Sequence, residues 1–136
     1  MPVDNALYDT EPWRDENRFL YTLAALTPAR FGYLRAVLVN RLRIDPRGKR
    51  TLDVGCGGGF LAEEFAKLGC TVTGIDPSAP TIAQAAAHAE ETGLAITYRV
   101  ASGEAIPFAD ATFDIVYCCD VLEHVDNLDR VIAETA

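Results

Sequence analysis

The residues best suited to chemistry fall in three places along the 136-residue chain. The first is the run Leu52-Asp53-Val54-Gly55-Cys56-Gly57-Gly58-Gly59. There a short strand leads into a glycine-rich turn that opens a helix. Glycines let the backbone turn tightly and let a ligand approach the main chain with no Cβ in the way. The helix start behind them offers free N–H groups. The second place is Asp76, 21 residues after Gly55 and at the end of the next predicted strand, where a carboxylate can accept both hydroxyls of a ribose. The third is the cluster Asp120, Glu123 and His124.

The loop narrows the ligand. A dinucleotide loop reads G-x-G-x-x-G, and the sixth position here is Phe60, so that pattern fails. Asp53 sits badly beside a pyrophosphate and suits a ligand with an amino group and a cationic centre. No G-x-x-x-x-G-K-[ST] run occurs, which excludes a P-loop. Phe60 and Asp53 disfavour an NAD-type oxidoreductase. S-adenosyl-L-methionine meets the remaining terms, with ribose, adenine, sulfonium and ammonium and no phosphate. Taken alone, the loop also has a reading as a strand–helix turn without a ligand, and Asp76 one as a solvated loop aspartate.

These residues need elements to position them. Thr27-Pro28 reads as a helix start, with threonine at the N-cap and proline at the first helical position. Phe31, Leu34, Leu38 and Leu42 then follow at helical spacing. Asp45-Pro46-Arg47-Gly48 ends that helix in a turn. Strands are predicted at 51–54, 71–75, 96–100 and 113–119, and helices at 60–68, 81–91 and from 128 onward. Such alternation implies an α/β, doubly wound, mostly parallel sheet with helices on both faces. The expected division is an N-terminal helical segment over 1–47, on the substrate side, and a cofactor-binding half over 48–136. Trp13, Phe19, Leu20, Tyr21, Leu23 and Leu26 give the first segment enough apolar surface to dock.

The motifs D-V-G-C-G-G-G, G-I-D-P, G-E-A-I-P-F and F-D-I-V-Y-C-C-D-V-L-E-H-V resemble the Rossmann-like S-adenosylmethionine-dependent methyltransferases. Within them the chain is most similar to the ubiquinone-biosynthesis O-methyltransferases, over about residues 28 to 136. The resemblance implies a phenolic or quinol small-molecule acceptor. It implies that Arg30 reaches the cofactor's carboxylate and that Gly55 and Gly57 lie under its methionine part. Asp53 then acts on the ammonium, directly or through a water, and Asp76 holds the ribose. Gly103 and Glu104 flank adenine, with Ile106 as a ring contact, and Cys119 offers backbone to the methionyl end. Ser102 stands where many relatives have an aspartate for the adenine amino group, and its hydroxyl makes a weaker acceptor. No catalytic residue is assigned.

The family sheet runs 3-2-1-4-5-7-6, of which 3-2-1-4 can be built here. The chain is therefore expected to be C-terminally truncated, with the fourth strand as an open edge. The alternatives are an inactive cofactor-binding fragment or a methyltransferase of another small-molecule acceptor. For Asp120, Glu123 and His124 two readings stand. Either Asp120 caps a turn and His124 packs at the site's mouth, or the three hold a divalent ion such as Mg2+ that activates a phenol.

Composition bounds the rest. At 49% hydrophobic and 24% charged residues, the chain can form a core and is not disordered. The net charge of −8 and pI of 4.6 argue against nucleic acid or an anionic membrane as main partner. No apolar run approaches the roughly 20 residues that span a bilayer, and Met1 to Arg14 does not read as a signal peptide. Cys56, Cys70, Cys118 and Cys119 lack zinc spacing and read as reduced, buried thiols of a cytoplasmic protein. His88 is expected to be exposed or packed on its alanine-rich helix.

Overall fold

The computed structural model describes residues 5–136. Four strands, β1 (Arg50–Val54), β2 (Thr71–Asp76), β3 (Ile96–Val100) and β4 (Ile115–Cys118), form one parallel sheet in the order β3-β2-β1-β4. This is the strand order that the family resemblance implied. β1 lies between β2 and β4, with Thr51 opposite both Val72 and Ile115. Chain reversal on either side of β1 leaves a crevice at the carboxyl ends of the strands, the usual place for ligands in such sheets.

Alternation along the strands supplies two cores. Leu52, Val54 and Ile75 point to one face, joined by Phe108, Phe113, Val116 and Cys118. On the other face Val72, Ile115 and Tyr117 pack with Leu61, Ala62 and Phe65 of α3 (Phe60–Lys67). Phe65 stacks on Tyr117 at 4.4 Å between ring centroids, and Phe31 meets Phe65 edge-on at 5.2 Å. α4 (Ala79–Glu91) starts at Ser78, whose hydroxyl accepts from the Thr81 N–H. α5 (Leu128–Thr135) starts at Asn127, which does the same for Arg130.

The N-terminal region departs from its sequence pattern. α1 spans Ala6–Thr10, and α2 spans Thr22–Ala36, with Pro28 inside it rather than at its start. A 3-10 turn at Phe19–Tyr21 sets α2 going early because it buries Leu20 completely. Thr27 does not cap. Its hydroxyl donates back to the Leu23 carbonyl at 3.4 Å, in the helix whose i−4 bond Pro28 cannot make. The helix continues as a π-turn over Val37–Arg41, which brings Leu38 into the core beside Phe65.

No helix among the described residues is long and apolar enough to cross a membrane. The four cysteines are free thiols, with Cys56 and Cys70 buried and Cys118 and Cys119 half-buried.

Candidate functional site

Loops after all four strands, roofed by the N-terminal segment, enclose a cavity of about 430 Å³. Arg30, Asp53, Gly55, Gly57, Asp76, Ser102, Gly103, Glu104, Cys119, Asp120 and His124 all line it. Residues named from five separate stretches of sequence therefore meet at one place.

Asp76 stands at the end of β2. Its Oδ2 accepts the Gly57 N–H at 3.1 Å and its Oδ1 accepts the Ser78 N–H at 3.0 Å. Burial raises its pKa, and those two N–H groups pull it back down. Each oxygen keeps a lone pair for a further donor, so a diol can bind without displacing the loop's own bonds.

Asp53 sits on β1, only 3% exposed. Its Oδ2 is buried with no hydrogen-bond partner among the described residues. Burial pushes its pKa up to about 8, the negative charge of Asp76 adds to this, and the Ala62 N–H opposes it. A buried carboxylate oxygen without a donor is costly. A cation or a donor in the cavity would satisfy it.

The turn between β1 and α3 is tight because something lies on it. Gly57 has φ +52°, and a Cβ there would come within 2.5 Å of the Trp13 ring. A Cβ on Gly55, at φ +70°, would run into the Val121 side chain. The glycines thus serve packing as well as ligand approach.

Sequence reasoning put the N-terminal segment on the substrate side but did not single out Tyr8, Trp13 or Arg14 as the residues that lie over the site. Trp13 is 7% exposed. Its indole N–H donates to the Thr81 hydroxyl at 3.1 Å, which in turn donates to the Tyr8 carbonyl at 2.7 Å. Tyr8 stacks near Trp13 and meets the His124 ring edge-on at 5.4 Å. Arg14 donates to the Gly58 carbonyl at 2.9 Å and to Glu63 at 2.6 Å. Glu63 is buried and also lies 2.7 Å from the His88 Nδ1, so His88 is a packed partner of an ion pair. A single tryptophan in a polar run was the available signal.

On the far side, the Ser102 hydroxyl accepts the Glu104 N–H at 3.1 Å. Glu104 accepts the N–H groups of Asp126 and Asn127 at 2.8 and 3.0 Å, which ties this loop to the start of α5. A Cβ on Gly103 would lie 2.8 Å from Val54. Ile106 is not a cavity residue. It packs on the Leu52, Val54 and Ile75 core, because its neighbours on the loop already face the cleft.

The Mg2+ reading of Asp120, Glu123 and His124 does not fit. Asp120 is ion-paired with Arg30 at a strained φ of +55°. His124 turns to the N-terminal segment, 3.2 Å from Asn5 Oδ1 and 3.5 Å from the Tyr8 hydroxyl. Glu123 lies outside the cavity lining, with its side chain 58% exposed. Among the described residues no group of three such side chains converges on a metal position. On the short 3-10 turn Leu122–His124, Glu123 comes within 3.8 Å of His124 Nε2, while Asp120 is turned to Arg30.

Comparison with known proteins accords with this geometry. The family profile described as methyltransferase domain matches residues 52–136. The ubiquinone biosynthesis O-methyltransferase of Azorhizobium caulinodans is 39% identical over 135 residues, covering 93% of this chain and 53% of that protein. Its counterpart from Methylocella silvestris is 42% identical over 137 residues, covering 91% and 54%. The chain spans about half the length of these curated relatives. Among solved structures, the magnesium protoporphyrin IX methyltransferase of Synechocystis PCC 6803 with bound SAM has a TM-score of 0.76 at 20% identity, covering 96% of this chain and 67% of that one. The [4+2]-cyclase SpnF has a TM-score of 0.67 at 29% identity, covering 90% and 44%. With the profile matched over more than half its length and the strand order in place, this chain belongs to the methyltransferase-domain family.

Proposed function

We propose that the cavity holds S-adenosylmethionine and that the chain supplies the cofactor half of an O-methyltransferase. The observation that carries this is the pair of carboxylates flanking the glycine turn, Asp53 buried and Asp76 half-buried. Asp76 has lone pairs free for a diol, while Asp53 has an orphaned oxygen that calls for a cation or donor. A ligand with both a ribose and an ammonium answers both, and a pyrophosphate answers neither. When bound, S-adenosylmethionine supplies an activated methyl group on a sulfonium.

The chain's own residues would do the holding. Asp76 would take the ribose hydroxyls and Asp53 the ammonium, directly or through a water. The backbone at Gly55, Gly57 and Cys119 would lie along the methionine part. Arg30, whose guanidinium keeps donors beyond those that Asp120 engages, would meet the carboxylate. Ser102, Gly103 and Glu104 would border adenine. Tyr8 and Trp13 close the roof and keep water out of the cleft. The protein's contribution to transfer is orientation and desolvation.

The names of the relatives support a phenolic or quinol oxygen as acceptor. The test is calorimetric titration with S-adenosylhomocysteine and with NAD, followed by transfer of a labelled methyl group to a catechol or quinol. Binding of the first ligand only, with transfer, is the expected result. NAD binding in its place overturns the cofactor reading. Cofactor binding without transfer to any acceptor supports the second reading, a cofactor-binding unit without turnover. One fold hosts many chemistries, as the cyclase neighbour illustrates, so binding alone does not establish transfer.

A further inference from the structure

The cavity is lined by the carboxyl groups of Asp9, Asp53, Asp76, Glu104, Asp120 and Asp126, and Arg30 is the only arginine or lysine among its lining residues. Arg30 is ion-paired with Asp120. Among the described residues, none of the other five acids forms an ion pair. His124, the remaining basic group of the lining, faces Asn5 and the Tyr8 hydroxyl. Backbone N–H groups serve Asp76 and Glu104. They steady those two carboxylates without removing their charge.

The acids act on one another. Burial raises the pKa of Asp76, and the charge of Asp9 adds to it. Burial and then the charge of Asp76 raise that of Asp53. Asp53 is also 3% exposed, with Oδ2 buried and unpartnered. In a roofed cleft lined by charges of one sign, the low-dielectric walls focus the field. An ion of opposite sign then gains more than it would in water.

We infer that the cavity selects its occupant by charge, holding the sulfonium form of the cofactor more tightly than the thioether that methyl transfer leaves. This rests on the cofactor reading given above. In the transfer a bond forms from the acceptor oxygen to the methyl carbon, the C–S electron pair stays on sulfur, and the acceptor's hydroxyl proton goes to water. S-adenosylmethionine therefore enters with one net positive charge, and S-adenosylhomocysteine leaves with none. The field that draws in the first does not hold the second, so the acids that favour binding also favour release of the spent cofactor.

Calorimetric titration of the chain with S-adenosylmethionine, S-adenosylhomocysteine and sinefungin tests it. Sinefungin has an amine-bearing carbon in place of the sulfonium, so it keeps the positive charge without the sulfur. At low salt both cationic ligands should bind tighter than S-adenosylhomocysteine by a factor of about ten or more, and the gap should narrow as salt rises. Asp9 and Asp126 are exposed lining residues. Asp9→Asn with Asp126→Asn should cut the gap to about a third by weakening the cationic ligands, with S-adenosylhomocysteine held within about two-fold of wild type. Unchanged Trp13 fluorescence and melting temperature would show that the variant folds. S-adenosylhomocysteine bound by wild type as tightly as S-adenosylmethionine overturns the inference and leaves the cofactor reading standing. So does a gap that neither salt nor the folded variant moves, which would assign the preference to contacts of the methyl group. Binding of none of the three overturns the cofactor reading, and the inference with it.

Discussion

The Gly57 N–H donates to Asp76 Oδ2 across 3.1 Å, so the last residue of β2 holds the turn that follows β1. The ribose-binding candidate and the glycine loop form one unit. Removing Asp76 therefore acts on loop and ligand together. Asp76→Ala should weaken S-adenosylhomocysteine binding by about 1.5–3 kcal/mol, the range for hydrogen bonds to a charged group, as read by calorimetry. Affinity equal to wild type would sink the ribose assignment.

Asp53 sets a pH dependence of stability. Its pKa is raised from an ordinary 3.8 to about 8 by burial and by Asp76, so folding favours the protonated form. Its contribution is fully present below pH 3.8, the unfolded value, and is lost as pH rises through about 8. Asp53→Asn should thus gain on wild type as pH rises from 5 to 8, by up to about 1.4 kcal/mol per pH unit. Urea unfolding at several pH values measures the slope, and parallel curves for the two proteins would contradict it.

A cation bound beside Asp53 favours the carboxylate. Binding of S-adenosylhomocysteine near pH 6.5 should then release close to one proton from wild type and none from Asp53→Asn. Calorimetry in buffers of different ionisation enthalpy reads this directly. Equal proton release by both proteins would place the ammonium away from Asp53.

Gly57 faces Trp13, and a Cβ there would lie 2.5 Å from the ring at a positive φ. Gly57→Ala should lose about 2–5 kcal/mol, from overpacking and from the left-handed backbone together. Trp13→Leu in the same chain should recover part of the overpacking loss, so the two changes should be non-additive in denaturant unfolding. Strict additivity would mean that the ring does not rest on the turn.

Glu63 anchors the roof through Arg14 and His88. Glu63→Ala leaves Arg14 half-buried without its partner. Because the Arg14 side chain is 25% exposed, the loss should be about 2 kcal/mol, below the 3–5 kcal/mol of a fully buried pair. Hydrogen exchange should quicken in residues 5–21 before it does so in the sheet. Uniform exchange across the chain would show that the pair does not hold the roof.

The sheet was legible because its causes are local. A short strand stopped by glycines at 51–54, a β-branched run at 71–75 and the glycines after α3 and α4 placed these elements to within two residues, and the family resemblance implied 3-2-1-4. Helix α2 was misplaced because Thr27-Pro28 carries the local signature of a start, whereas burial of Leu20 seven residues earlier decided the matter.

The sequence by itself determined which residue types were on hand for a nucleoside and a cation, because Asp53, the glycines and Asp76 lie on consecutive elements whose order fixes their meeting. Only the tertiary structure decided what covers them. Tyr8 and His124 are 116 positions apart, and Trp13 rests on a turn more than forty residues further along. No spacing rule links such pairs. Packing brought Arg30 to Asp120 and turned His124 toward the roof, which took apart a metal cluster that was plausible on the chain. Spacing along a chain limits which side chains can meet, but packing and the pairing of buried polar groups select which ones do.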